Sequence, residues 1–330
     1  GTTTRLIAFT GLGKSVSTFD NEVLRRAAGA AARALAGNTS ATFALPAKSA
    51  SAVLAIAEGA GLGSYLFDQF RGSTKSAQKS PLKSATIYTS LVNGPEAKAI
   101  AHQAEVISKY TNLVRDLINT PPSHLTPETF CKAINDAVKK AGGASLGLKV
   151  SVMTDAQLKS KGYGGIIGVG QGSANPPRLL HLSYTPKGVK AKKKYAYVGK
   201  GITFDTGGLA LKPALGMEAM KSDMSGAAAV IASVFAIAQF SLMKFSNKKS
   251  PKGLSFGYFL DLLKLLFSRF HYWEKYYITK IFLFCKNSNE TINTHTKTCH
   301  WWHTMLHSSN EIIIWHRYFI ITCFFSTLSK

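Results

Sequence analysis

Residues 197–226 read YVGKGITFDTGGLALKPALGMEAMKSDMSG. Four charged side chains stand here among glycines and short apolar runs that otherwise indicate a protein interior: Lys200, Asp205, Lys212 and Asp223. The apolar run YAYVG before Lys200 predicts a strand, so we expect Lys200 at the carboxyl end of that strand, where parallel sheets bind ligands. The glycines around it allow a tight, irregular backbone: Gly199, Gly201, Gly207 and Gly208. The stretch therefore predicts a ligand site at the edge of an α/β sheet.

The residue types in this stretch allow two interpretations. Two carboxylates beside a lysine suit a divalent cation, which takes oxygen ligands and activates a bound water. Lys200 would then bind the metal as a neutral amine, while Lys212 stays charged and polarises a carbonyl. In the other interpretation Lys200 contacts a phosphate, the two aspartates serve as turn and N-cap residues, and Lys212 lies on the surface.

The rest of the first 239 residues predicts an α/β fold. Strands are predicted at 5–10, 42–45, 84–92, 148–153, 179–184 and 195–199, and helices at 22–36, 51–70, 96–117, 155–161 and 224–239, with a glycine-rich turn at EGAGLGSY. A further helix begins at Pro127, with Thr126 as its N-cap. Alternating strands and helices predict a mostly parallel sheet. We expect a smaller N-terminal α/β domain at 1–95, a connecting helix at 96–119 and an α/β domain, truncated, at 120–239.

Composition changes abruptly after Gln239. From Phe240 to Lys330 there is no alanine and no valine, although all four tryptophans lie there. Small residues are needed where elements pack closely, so this composition is unusual for a folded domain. The tail is either an unusual domain or the translation of AT-rich non-coding sequence such as an unspliced intron. We favour the second interpretation and predict that 240–330 is unrelated to the preceding domain and not natively folded.

Charge and cysteine content bear on partners and location. The net charge is +23, which can indicate a nucleic-acid or membrane-surface partner. The basic run KGVKAKKK at 187–194 contains no aromatic residue for base stacking and is interpreted as a solvated loop, so no specific nucleic-acid partner is expected. No apolar run reaches the ~20 residues of a membrane span. Few cysteines and no visible signal peptide predict a cytoplasmic protein.

Several segments resemble the leucyl (cytosol) aminopeptidase family over roughly residues 1–239. They are VGKGITFDTGGLALKP with MEAMKSDMSGAAAV in the opening stretch, RDLINTPPSHLTPE at 115–128, GVGQGSANPPRLLHLSY at 168–184 and AEGAGLGSYLFDQF at 57–70. The resemblance implies removal of N-terminal amino acids from peptides with two divalent cations, zinc, manganese or magnesium. It also implies that subunits with two domains assemble as a homo-hexamer.

The resemblance also implies roles for the four charged residues. Lys200 and Asp223 would bind one metal, Asp205 would bridge both metals, and Lys212 would be the catalytic lysine that polarises the scissile carbonyl. The family's later N-T-D-A-E-G-R segment, whose acidic residues complete the metal pair, is missing, and no aspartate follows Asp261. We therefore expect at most one well-formed metal site and an inactive chain, and the family's homo-hexamer is not carried over to this chain. The alternative is a non-catalytic basic binding or regulatory protein derived from a peptidase.

Overall fold

The structure is a computed structural model that describes residues 6–187, 196–246, 281–284 and 319–328. The chain forms two compact units, Gly1–Asp116 and Leu117–Lys330. Most of the basic run at 187–194 lies outside the described residues, and so does most of the tail after residue 246. The three boundaries between the predicted segments and the unfolded tail therefore stay predictions.

The first unit contains a two-stranded parallel sheet with helices around it. Its elements are α1 (Asn21–Ala34), β1 (Ser40–Phe43), α2 (Ala50–Gly63), β2 (Ser84–Ile87) and α3 (Gly94–Asn119), whose last residues belong to the second unit. Side chains of Asp20 and Ser49 accept hydrogen bonds from the first turns of α1 and α2, as N-caps do. The core between α1, α2 and the sheet consists of Leu24, Ala28, Ala32, Phe43, Ala52, Ile56, Ala60 and Leu82.

The glycine-rich segment EGAGLG continues α2 instead of forming the predicted turn. A Cβ atom on Gly59 would lie 2.2 Å from the Arg25 carbonyl oxygen, and one on Gly63 would lie 2.4 Å from the Gly29 carbonyl oxygen. These glycines therefore allow the backbones of α1 and α2 to touch. The turn prediction was wrong because glycine marks close helix contacts as well as turns.

Residues 6–10 are not a strand, contrary to the prediction from their apolar residues. Leu6, Ile7 and Phe9 are exposed, with Phe9 94% accessible. The side chain of Thr10 donates a hydrogen bond to the Ala27 carbonyl oxygen at 3.1 Å. A run with high β-propensity becomes a strand only where a neighbouring strand takes its main-chain hydrogen bonds, and propensity does not supply that neighbour.

The second unit combines short helices with a five-stranded sheet. Its elements are α4 (Pro127–Lys140), β3 (Leu148–Met153), α5 (Asp155–Ser160), α6 (Gly164–Gly170), β4 (Arg178–Tyr184), β5 (Ala196–Asp205), α7 (Ser225–Ser246), β6 (Ile281–Phe284) and β7 (Phe319–Leu328). Capping boxes begin α4 at Thr126 and α5 at Thr154. Helix α6, which is rich in glycine, and strands β6 and β7 were not predicted from the sequence.

The α/β class is confirmed, with a small parallel sheet in the first unit. The sheet of the second unit has the order β3-β4-β7-β5-β6 and is mixed. Only β5 and β7 pair in parallel, and the other three pairings are antiparallel, so the expectation of a mostly parallel sheet is corrected for the described strands. Alternation of helices and strands predicts the class, but the direction of each strand depends on the path of the chain through the sheet.

Helix α7 is the buried helix of the second unit. Its side chains from Ala227 to Ala238 are almost all inaccessible, including Val230, Ile231 and Phe235. By length and composition the segment Met217–Phe240 could cross a membrane, but 72% of its most apolar window is buried within the protein. Burial of this kind is what a core helix of an α/β unit shows, and the helix packs against β5.

Candidate metal centre

Strand β5 carries two of the four charged residues. It runs from Ala196 to Asp205, so Lys200 lies in the middle of the strand and Asp205 is its last residue. The prediction that Lys200 ends the strand is corrected, because β7 pairs with β5 beyond Lys200 as far as Asp205. Asp205 is therefore the carboxylate at the carboxyl end of β5.

Close packing of α7 on β5 brings Asp223 to Lys200. A Cβ atom on Gly199 would lie 2.6 Å from both Ala227 Cα and the Gly226 carbonyl oxygen. Only a glycine at position 199 allows this approach of strand and helix. A 3-10 helix at Met217–Ser222 leads into α7, and the Asp223 N–H donates to the Met220 carbonyl oxygen at 3.1 Å. Asp223 thus lies just before α7, as predicted.

The loop between β5 and the 3-10 helix returns Lys212 to the end of the strand. Gly207 and Gly208 have φ values of +94° and +70°, in the left-handed region that favours glycine. The Lys212 N–H donates to the Thr206 carbonyl oxygen at 2.9 Å and closes the loop. Leu209, Leu211 and Leu215 in the same loop are exposed. The glycines at 207 and 208 thus have the role that the sequence predicted for them.

The four side chains form one alternating chain of charges. Lys200 Nζ lies 2.5 Å from Asp223 Oδ2 and 3.5 Å from Asp205 Oδ2. Lys212 Nζ lies 3.0 Å from Asp205 Oδ1, which also accepts a hydrogen bond from the Gly207 N–H at 2.9 Å. The Asp223 side chain is 1% exposed, whereas that of Lys212 is 33% exposed. The sequence-predicted residues are therefore all brought together, with Asp223 the most buried of the four and Lys212 the most accessible.

The two carboxyl groups have opposite pKa shifts. Burial raises the pKa of Asp223, and the nearby Asp205 carboxylate raises it further, although Lys200 opposes both effects. Burial also raises the pKa of Asp205, but hydrogen bonds from Lys212 and the Gly207 N–H, with the charges of both lysines, hold that pKa below its ordinary value. Asp205 is thus the more readily ionised of the two carboxyl groups.

These residues fit one divalent cation. Asp223 Oδ2 is buried, with the Lys200 ammonium 2.5 Å away and the Asp205 carboxyl group beside it. Carboxylate oxygens gathered in this way are ligands for a divalent cation. No group of three or more histidine, cysteine or acidic side chains that could hold a metal occurs among the described residues, so the donors here are two carboxylates and one amine.

Two features of the site were not predicted from sequence. The Gly207 N–H orients Asp205, and Lys221 Nζ contacts the Asn119 carbonyl oxygen at 3.5 Å, which ties the 3-10 helix to the segment at 115–128. Both contacts involve main-chain groups, which every residue carries. The glycine at position 207, which permits a positive φ, was the sequence signal that could have predicted the contact with Asp205. No sequence signal indicated the contact between Lys221 and Asn119.

Comparison with known proteins agrees with this architecture. The family model of the cytosol aminopeptidase catalytic domain matches residues 112–246, and that of the N-terminal domain of the same family matches residues 1–74. The chain therefore belongs to the cytosol aminopeptidase family, a family of metal-dependent exopeptidases, and the resemblance seen in its sequence is confirmed.

Individual relatives match about the same part of this chain as the two family models together. The "Probable cytosol aminopeptidase" of Streptomyces avermitilis is 49% identical over 228 residues, covering 68% of this chain and 43% of that protein. The protein of the same name from Mycobacterium leprae is 44% identical over 239 residues, covering 70% and 44%. The structure of the bottromycin maturation enzyme BotP in complex with Mn has a TM-score of 0.59 and 36% identity, covering 71% and 47%. The chain thus spans less than half the length of these relatives.

Proposed function

We propose that Lys200, Asp205 and Asp223 bind one divalent cation, manganese or zinc before magnesium, at the end of β5. The observation that supports this most directly is the convergence of two carboxylates and one amine, with Asp223 Oδ2 buried beside Lys200 and Asp205. The manganese complex of BotP, which is similar to this chain, agrees with the proposed metal. A bound cation would supply Lewis-acid charge for activating a water.

The side chains around the proposed cation have complementary tasks. Asp223 supplies buried negative charge, and Asp205 supplies a second carboxylate that the Gly207 N–H holds in place. Lys212 is the most accessible of the four and lies against Asp205, so its ammonium group can hold the carbonyl oxygen of a peptide substrate. This division of roles is that of a metallo-aminopeptidase acting on the N-terminal residue of a peptide.

We further propose that the chain as given does not turn over peptides. A site that holds two cations needs more carboxylate ligands than Asp205 and Asp223 supply. The sequence contains no aspartate after Asp261. Two cations held by so little negative charge repel each other, so the second would bind weakly and the activated water would be lost. We place the protein in the cytoplasm, as its relatives' names indicate, and propose no hexamer for this chain.

Thermal unfolding with added metal tests cation binding. Saturating MnCl₂ at 100 times its Kd should stabilise the second unit by about 2.7 kcal/mol. The variant Asp223→Asn should lose this stabilisation, whereas Asp136→Asn, on an exposed helix face, should keep it. Retention of the full Mn²⁺ effect in Asp223→Asn would show that the cation binds elsewhere.

Hydrolysis of leucine p-nitroanilide with Mn²⁺ tests the absence of turnover. We expect no rate above that of buffer with the same metal. A kcat of about 1 s⁻¹ or more, ordinary for an enzyme, would refute the proposed inactivity while leaving the cation site intact.

A non-catalytic basic binding role is the second candidate, and the net charge of +23 favours it. Such a protein should be retained on heparin and eluted by salt, because the contacts release counterions. Elution at low ionic strength, at the position of a neutral protein, would exclude it.

A further inference from the structure

A groove of about 650 Å³ lies in the first unit beside β2. Its two walls are the helices α2 and α3, and β2 forms its floor. The volume falls within the range of about 300–1,000 Å³ that is typical of ligand-binding clefts. This groove is built from the first unit alone and shares no residue with the metal centre.

The groove follows the free edge of β2. Ser84 lines it from one face of the strand, and Ala85 and Ile87 line it from the other face, so the groove runs along the edge of the strand. The Ser84 N–H donates to the Thr39 carbonyl oxygen just before β1, and the Tyr88 N–H donates to the Phe43 carbonyl oxygen in β1. Main-chain groups alternate in direction along a strand, so those of Ala85 and Ile87 point away from β1 and towards the groove. Among the described strands, β2 pairs with β1 alone.

Small residues on the helices leave room for another main chain to approach this edge. Ala57 of α2 and Ala101 of α3 line the groove. Gly61 of α2 lines it too, but the space beside this glycine holds the Ser108 side chain of α3. Ser108 lines it as well, is 7% exposed, and its hydroxyl group has no hydrogen-bond partner among the described residues. Its oxygen atom is shielded from solvent against Gly61, so the room for a bound main chain is that left by the two alanines.

The charged residues of the groove complement the ends of a peptide. Lys83 and Lys109 supply two ammonium groups, and Glu105 supplies one carboxylate. The remaining lining is largely apolar, including Val92 and Ile100. A peptide has amide groups along its length and a carboxylate at its end, so it matches the strand edge, the apolar walls and the lysines together.

We propose that this groove binds a short, extended, apolar peptide as an added strand on β2. The peptide would pair with the outward main-chain groups of Ala85 and Ile87 and place small side chains against α2 and α3. Its terminal carboxylate would lie against Lys83 or Lys109. Because β2 is 4 residues long, about 13 Å at ~3.3 Å per residue, the bound stretch is about five residues. The inference does not depend on metal binding or on peptidase activity.

Calorimetric titration of the full chain with N-acetyl-Ala-Val-Ala-Val-Ala tests the proposal. The acetyl group blocks the amine that an aminopeptidase needs, so binding is measured without turnover. We expect saturable binding below 1 mM, and at least tenfold weaker binding of N-acetyl-Ala-Pro-Ala-Pro-Ala, whose prolines lack the N–H groups of a strand. Absence of binding at 1 mM, or equal affinity for the two peptides, would overturn the proposal.

A pair of variants on α3 localises the binding. Ala101→Phe fills the groove, whereas Ala99→Phe places the same side chain at an exposed position outside it. We expect Ala101→Phe to weaken binding at least tenfold and Ala99→Phe to change it less than twofold, with unchanged circular dichroism for both. Equal affinities of the two variants would mean that the peptide binds outside the groove.

Discussion

Replacing Gly199 by alanine tests how β5 and α7 bring Lys200 and Asp223 together. The added methyl group would lie 2.6 Å from main-chain atoms of Gly226 and Ala227, so ordinary contact at 3.4 Å requires α7 to retreat by about 0.8 Å. Main-chain atoms cannot rotate away as a side chain does. We therefore expect a loss of about 3 kcal/mol, the upper end for adding a methyl group to a packed interior.

Calorimetry and metal titration measure both consequences of this substitution. For a unit of this size, 3 kcal/mol lowers Tm by about 6–12 °C. The retreat also separates Asp223 from Lys200, so Mn²⁺ affinity should fall together with Tm. Gly168→Ala is the matched control, because nothing lies within 4 Å of its new methyl group and its backbone is helical. That control should be neutral or stabilising by about 0.5–1 kcal/mol. If Gly199→Ala kept the Tm and Mn²⁺ affinity of the unchanged chain, the proposed contact would be refuted.

Three further predictions concern buried groups away from the metal centre. Glu58→Gln should cost about 3 kcal/mol in urea unfolding, because Glu58 is 2% exposed and pairs with Arg25 at 2.7 Å. Glu22→Gln, which removes a more exposed partner of the same arginine, should cost less than about 1 kcal/mol, and equal costs would contradict the role of burial. Burial raises the pKa of the Cys131 thiol to about 12. Iodoacetamide at pH 8 should therefore leave Cys131 unmodified until the chain is unfolded, as measured by peptide mapping. Labelling of Cys131 in the native chain would contradict this. Burial lowers the pKa of His181 below 6.5, so the unfolded chain binds more protons there and stability should fall as the pH drops through 6.5. His181→Gln should flatten that part of the pH profile, and an unchanged profile would assign the effect to other groups.

Local sequence signals predicted the elements that depend on neighbouring residues. Strand β3 coincides with the predicted range, and the N-cap at Thr126 is confirmed by its capping box with Thr129. The candidate site was predictable for a similar reason. Its four side chains lie on one continuous strand, loop and helix, so a single chain segment brings them together. Their assigned chemical roles remain proposals.

Features that depend on distant segments could not be predicted in this way. The helical conformation at Gly59 depends on α1, and the direction of β4 depends on β3 and β7. Lys200 lies inside its strand because β7 continues to pair beyond it. The groove beside β2 forms where two helices and a strand edge lie next to one another, and no short sequence motif indicates that arrangement.

The contact between α1 and α2 reverses the usual meaning of an alanine scan in the first unit. Alanine at Leu24 removes bulk and leaves a void, whereas alanine at Gly59 adds bulk where main chains already touch. Hydrostatic pressure distinguishes the two losses, since it favours unfolding in proportion to internal void volume. The Leu24 variant should become more sensitive to pressure than the parent chain, and the Gly59 variant, although destabilised, should not.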